Sequence, residues 1–312
     1  MESLQGLKSR LKAVKNVGQI TKAMEVVAAT KMRKAQESAL NSRPYAFEAL
    51  FLLERLIRSM AGLISVNTRL IKKTLVVVIA SDKGLAGSFN SQVFRLADSF
   101  FAKDEYLVNK EHEYGIVAVG KKAIGYAGKK KFRTIKIFED FGDVATLDKV
   151  YPMTEFISES FEQGDWDRIV IISTNFRSAL KQEPLIQQVY PFDFNKIRET
   201  VKEIIPETGK FSHIKNTLSH TWDDKEIDYI FEPSVLEVFE SLIPHLIEMQ
   251  VYHIFLEAKA SEHSARRVAM KTASDNAIEL TDDLTIIYNK ARQVGITAEI
   301  MEITSTMTTL EK

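Results

Sequence analysis

At 312 residues the chain is longer than one typical domain, and a composition of 45% hydrophobic and 27% charged residues is that of a folded protein rather than a disordered one. Its 42 basic and 42 acidic residues cancel, which argues against bulk electrostatic binding to nucleic acid, and the lack of cysteine excludes disulfides, thiolate metal sites and thiol redox switching. No apolar run approaches the roughly 20 residues that span a bilayer. MESLQGLKSRLK has no apolar signal core, so the expectation is a soluble, intracellular chain that can still sit on a membrane complex.

The N-terminal stretch reads as one long helix of roughly 55 residues, bent near Pro44. Apolar residues recur there at steps of three and four: Leu4, Leu7, Leu11, Val14, Val17, Ile20, Met24 and Val27. Its first 40 residues are also basic, with Lys8, Arg10, Lys12, Lys15, Lys22, Lys31, Arg33 and Lys34 against Glu2, Glu25 and Glu37.

After it the pattern alternates between strands and helices. Strands are expected over residues 74–81, 114–119, 133–138, 168–174 and 185–192, and helices over 88–103, 121–129 and 146–163. Strands such as VVVIA and IVIIS are apolar on both faces, which indicates a parallel sheet covered by helices on both sides. The polar stretch 195–225 reads as loops, and 228–231 as a last strand.

From Pro233 to about Thr304 a second long helix is expected, with Pro233 in its first turn and Pro244 as a kink. Stepping back from its end by three and four residues meets Met301, Ala298, Val294, Ala291, Ile287, Leu284, Leu280, Ala277 and Ala273, all apolar. That 3.5-residue period predicts a coiled-coil seam. The seam breaks near Ala260–Lys271, where Glu262, His263, Arg266 and Arg267 crowd together. Either the stripe shifts register there or its partner changes.

The fold class this implies is α/β: an antiparallel coiled coil of the two terminal helices (1–65 and 233–305) with a Rossmann-like domain (70–232) inserted between them. If the helices pair from the joint outward, the second outlasts the first by about 15 residues, or ~23 Å. Its apolar stripe continues regardless, and that implies an external partner.

The loop SDKGLAGSFN (81–90) follows the first strand and invites a phosphate-binding reading. A Walker loop needs its lysine after the second glycine, whereas Lys83 precedes Gly84. The dinucleotide fingerprint fails as well, since Gly84 and Gly87 supply one spacing only. A turn that presents Lys83 outward is the better reading, and no cofactor is expected. The histidines (His112, His213, His220, His245, His253, His263) form no H-E-x-x-H, and there is no G-x-S-x-G. His245 and His253, eight apart on one helix, are expected to be a surface and an interface histidine. Asp282 and Asp283 are adjacent on a helix and diverge, so they are read as a solvated face. No catalytic or metal site emerges. Two other classes remain: a nucleotide-dependent α/β enzyme with a coiled-coil dimerisation arm, and a basic coiled-coil module on nucleic acid.

Three stretches carry a specific resemblance: ITKAMEVVAATKMRKAQ (20–36), SDKGLAGSFN (81–90) and SEHSARRVAMKTASDNAIELTDDLTIIYNKARQVGITAEIMEI (261–303). They resemble the gamma subunits of F-type ATP synthases, strongly at both ends and weakly in the middle. The resemblance implies a non-catalytic central-stalk rotor that couples proton-driven rotation of a membrane c ring to ATP synthesis or hydrolysis in a hexamer of alpha and beta subunits. The active sites lie on beta, and the epsilon subunit is a neighbour. It implies partner contacts at Met24, Lys83, Ala86, Arg292 and Gln293 toward beta subunits, and at Phe231 and Glu232, with Arg43 and Tyr45, near the c ring. It also implies a peripheral membrane location, expected on the cytoplasmic side of a bacterial inner membrane because Met1 is followed directly by the shaft, with a mature organellar form as the alternative; the two-cysteine redox insert of plastid members is absent. The ending STMTTLEK departs from the small-residue tail of many members.

Overall fold

The computed structural model describes residues 3–59, 70–104, 112–142, 146–191 and 232–310, with side chains described for these except 39–59, 305–310, 235, 239 and 240. In chain order the elements are α1 (Leu4–Ser59), β1 (Lys73–Ile79), α2 (Phe89–Lys103), β2 (Glu113–Val119), α3 (Lys121–Lys130), β3 (Thr134–Phe138), α4 (Leu147–Glu162), β4 (Arg168–Phe176), β5 (Gln182–Tyr190) and α5 (Val235–Leu310). The strand expected at 228–231 lies outside the described residues. Pro44 and Pro244 end neither long helix. Pro233 precedes α5 rather than sitting in its first turn. Ser234 and Glu237 cap the helix there, with Glu237 N–H donating to Ser234 Oγ at 3.2 Å and the two side chains 3.1 Å apart.

The sheet order is β3-β2-β1-β4-β5. β1 pairs in parallel with β2 and β4, and β2 with β3, while β5 runs antiparallel to β4. The all-parallel expectation is therefore corrected at β5. The segment 177–181 is far shorter than the dozen or so residues a parallel crossover needs, so the chain can only turn back on itself.

Strand periodicity divides the core. Leu75, Val77 and Ile79 face one way, with Val117, Ile169 and Ile171, onto Val150, Met153 and Ile157 of α4 and Ile247, Val251, Ile254 and Phe255 of α5. Val76, Val78 and Ala80 face the other way onto Val93 and Ala97 of α2 and Ala123 and Ala127 of α3. The last long helix thus serves as one of the covering helices of the sheet before it leaves the domain.

α1 and α5 also pack along each other. The inward positions on α1 are Leu7, Leu11, Val14, Gly18, Thr21, Ala28, Met32 and Ala35; on α5 they are Met270, Ser274, Ala277, Thr281, Leu284, Tyr288, Ala291 and Gly295. At Gly18 the backbones come close, since a Cβ there would lie 3.3 Å from Ala277 Cβ. The buried hydroxyls bond within their own helices: Thr21 Oγ1 donates to Val17 O and Gly18 O, and Thr281 Oγ1 to Ala277 O.

This contact line corrects half of each expected stripe. Ala277 and Leu284 are buried and Ala291 half-buried as expected, but Leu280, Ile287, Val294, Ala298 and Met301 point outward, as do Val17, Ile20 and Val27 on α1. Small residues let two helices approach, and the bulky apolar residues beside them are turned away. Periodicity shows which residues are apolar; it does not show which of two apolar faces meets which partner.

Candidate partner-binding site

The break in the α5 stripe is a change of partner. Residues 258–264 are all buried, because the sheet domain lies on one side of the helix and α1 on the other. Within this stretch Glu262 is held between two cations: Oε2 accepts from Lys259 Nζ at 3.2 Å and Oε1 from Arg266 Nη2 at 2.8 Å. Burial alone would raise the Glu262 pKa, but Lys259 and Arg266 outweigh it and hold the carboxyl below the ordinary carboxylate range. His263 Nδ1 lies 3.3 Å from Arg266 Nη1, and Lys259 Nζ lies 5.6 Å from the centre of the Phe255 ring.

This charged row grips the loop after β1. Arg266 donates to two loop carbonyls, Nη2 to Lys83 O at 3.2 Å and Nε to Gly84 O at 3.3 Å. Lys259 Nζ reaches Asp82 Oδ2 at 3.8 Å, while Asp82 Oδ1 accepts from the backbone N–H of Lys121 at the start of α3. Ser81 Oγ donates to Lys83 O at 2.7 Å, and the Ser81 N–H donates to Asn90 Oδ1. The turn is bonded from both sides. Leu85 is held in the left-handed region at φ 62° and is 61% exposed, a conformation costing about 1–2 kcal/mol that only a fixed surrounding sustains. Gly87 (φ 56°) backs onto α5, and a Cβ there would sit 3.6 Å from Ala269 Cβ.

In open α/β sheets ligands bind beyond the carboxyl ends of the strands, where the strand order reverses. Here that position, between β1 and β4, is filled by α5: Ser261 Oγ lies 3.4 Å from Thr174 O of β4, and Arg266 lies over the β1 loop. The chain's own helix occupies the crevice that a nucleotide would need.

The remaining site residues fall in four places. Lys83 is exposed at the tip of the turn, whereas Ala86, expected as a contact, is 2% exposed and offers a partner no surface. Met24 is half-buried on α1; Arg292 and Gln293 are exposed on α5, close to where burial against α1 ends at Gly295. Glu232 is exposed just before α5, and Phe231 and the side chains of Arg43 and Tyr45 lie outside the described residues. Lys83 and Ala86 share one turn, and Arg292 and Gln293 share one end of α5. His245 is exposed, and His253 is buried with Nε2 3.2 Å from Glu257 Oε1. Sequence reasoning missed the grip on the loop. Its signal was the spacing Lys259–Glu262–Arg266, which matches i, i+3 and i, i+4 pairing.

A family model described as ATP synthase matches residues 3–310. Curated relatives named ATP synthase gamma chain include that of Opitutus terrae, 37% identical over 97% of each chain, and that of Geobacter metallireducens, 36% identical over 98% of each. Among solved structures, a chain of the Euglena gracilis mitochondrial ATP synthase rotor aligns with a TM-score of 0.59 at 18% identity over 94% of this chain and 98% of that one. Another, from the Tetrahymena thermophila central stalk and c ring, aligns with a TM-score of 0.55 at 22% identity over 82% of this chain and 99% of that one. These likenesses establish the same fold.

Proposed function

The chain belongs to the family of ATP synthase gamma chains, and from that premise we propose how it works as the rotor of the central stalk. α1 and α5 form an antiparallel coiled-coil shaft (1–65 and 233–305), and the α/β domain (70–232) sits at the base. Pairing positions that sum to 295, as Gly18 and Ala277 do, matches Leu7 with Tyr288, Leu11 with Leu284, Val14 with Thr281, Thr21 with Ser274 and Ala28 with Arg267. Each of these is buried or half-buried. Parallel pairing from the same point would set Thr21 against exposed Leu280 and Ala28 against exposed Ile287.

The observation that carries the reading is the apolar surface left over. Burial on α5 ends at Gly295, yet Ile296, Ile300, Met301 and Ile303 follow, and Val17, Ile20, Val26, Val27, Ile278 and Ile286 face outward beside the seam. So much exposed aliphatic surface on one rod calls for a surrounding sleeve. We assign that sleeve to the hexamer of alpha and beta subunits. Catalysis is assigned to beta, and torque is transmitted as the asymmetric faces of the shaft press on the beta subunits in turn. Lys83, Met24, Arg292 and Gln293 meet beta subunits in this scheme. Glu232 and Phe231 lie toward the c ring, with epsilon alongside the α/β domain. Among the described residues no helix is long and apolar enough to cross a membrane. The scheme places the chain peripherally, on the cytoplasmic side of an inner membrane, turned by proton flow through the ring.

Mild detergent extraction of the tagged chain from native membranes, followed by mass spectrometry of the intact assembly, tests this. One copy of the chain with three alpha, three beta and a c ring is expected. The chain alone, or with a stoichiometric nucleotide, would overturn the reading and favour the nucleotide-dependent enzyme.

A further inference from the structure

The loop that presents Lys83 is only partly braced by its own bonds, Ser81 Oγ to Lys83 O and Ser81 N–H to Asn90 Oδ1. Gly84 is exposed with nothing within 4 Å of where a Cβ would stand, and Leu85 lies in the left-handed region. The rest of its bracing comes from α5. The Asp82 end is held through Lys259, and the Lys83 and Gly84 carbonyls through Arg266; a single carboxylate, Glu262, bonds both cations, one with each oxygen. We propose that Glu262 is a positioning residue for Lys83: it fixes both ends of the turn, and so the direction in which the exposed lysine is presented to a beta subunit. This inference rests on the loop-contact reading above.

The chemistry requires an anion with two accepting oxygens. Glutamine at 262 keeps the size and one acceptor, but its amide donates where the carboxylate accepts, so one cation loses its partner in a site where water cannot replace it. Arg266 then gives up its carbonyls or Lys259 gives up Asp82. Either way the turn loosens and Lys83 is presented over a wider arc. The bland alternative is that Glu262 only neutralises charge inside the α5 packing, in which case its loss is felt whether or not Lys83 is present.

A double-mutant cycle on the assembled, purified complex separates the two. ATP turnover is measured for wild type, Lys83→Ala, Glu262→Gln and the pair, over a range of potassium chloride concentrations. An exposed ionic contact corresponds to about a twofold to fivefold loss for Lys83→Ala. Glu262→Gln is expected to lose a similar factor, and the pair no more than Lys83→Ala alone. The salt dependence of wild type should flatten in all three variants. Losses that multiply in the pair, or wild-type turnover in Glu262→Gln, would overturn the positioning role while leaving the loop contact standing. Wild-type turnover in Lys83→Ala would sink the loop contact itself, and the positioning role with it. If Glu262→Gln yields no assembled complex, Lys259→Met, which frees only the Asp82 end, is read in the same cycle with the same criteria.

Discussion

Replacing Gly18 tests the packing of the two terminal helices at their closest point. A first carbon placed on Gly18 would already lie 3.3 Å from Ala277 Cβ, tighter than ordinary van der Waals contact by a few tenths of an ångström. Gly18→Ala therefore sets a gain in helix propensity of about 1 kcal/mol against a small adjustment of Ala277, and its net effect should be close to zero. Gly18→Val adds two further methyls that point into the seam. Overpacking of that kind costs about 1–3 kcal/mol, and the propensity gain over glycine offsets only ~0.3–0.5 of it.

The expected result is a Gly18→Val chain less stable than Gly18→Ala by about 0.5–2.7 kcal/mol, read as the denaturant midpoint of helical circular dichroism. Adding Ala277→Gly removes the methyl that the valine strikes and should restore part of the loss, although glycine costs about 1 kcal/mol in a helix by itself. A non-additive pair is the signature of contact. If Gly18→Val matches Gly18→Ala, or if Ala277→Gly lowers both backgrounds equally, Gly18 and Ala277 do not face each other and the proposed register is wrong.

Arg168 and Asp104 form a buried ion pair through Nη1 at 2.9 and 3.0 Å, so Arg168→Met takes the guanidinium from a buried carboxylate and should cost about 3–5 kcal/mol in chemical denaturation. Asp104→Leu in that background should recover much of the loss; an undiminished deficit would mean the ion pair is not the cause. The Glu262 carboxyl has a lowered pKa in the folded chain, so its contribution is fully present above its unfolded value of about 4.3 and is lost as pH falls through the folded value. Glu262→Gln should therefore flatten acid unfolding below about pH 4.3, and an unchanged acid limb would refute the coupling. Arg292→Glu, on an exposed position of α5, should leave stability within about 0.5 kcal/mol of wild type but slow ATP turnover of the assembled complex. Unchanged turnover would remove Arg292 from any catch role.

Much of the fold could be read from the residues, since the strands and short helices carry their own signals. The run LVVVIA is apolar at every position because β1 is buried on both faces, and the observed β1 starts one residue before the expected strand. β5 was legible as a strand but not in its direction. QEPLIQQVY lacks the unbroken apolar run of β1 and β4, and its direction is set by the shortness of 177–181, which periodicity does not register. The long helices were legible in extent, but the seam was half misread because Gly18, Ser274 and Thr281 contribute to it through smallness and through hydroxyls bonded to their own backbone. Neither property registers as apolar. The charged row was read as an interruption for the same kind of reason. Lys259, Glu262 and Arg266 look like a solvated face until the loop that Lys259 and Arg266 grip, far earlier in the chain, is brought beside them.

That placement explains how a fold suited to ligand binding comes to work as a joint. In a doubly wound sheet the carboxyl ends of the strands offer unsatisfied backbone groups and a crevice, and a small molecule normally fills it. Here a helix of the same chain enters instead: the Ser81 N–H that could have met a phosphate is spent on Asn90, and the Lys83 carbonyl is taken by Ser81 and Arg266. A bound ligand can leave, whereas a covalently continuous helix cannot. The α/β domain is joined to α5 through the Arg266 bonds to the loop carbonyls and the Lys259–Asp82 contact as well as through the apolar contacts of Ile254, Phe255 and Leu75. The loop at the centre of this joint is also the one that carries the exposed Lys83. Anchoring the domain and orienting the lysine are therefore one structural act, and a substitution at Glu262 should disturb both.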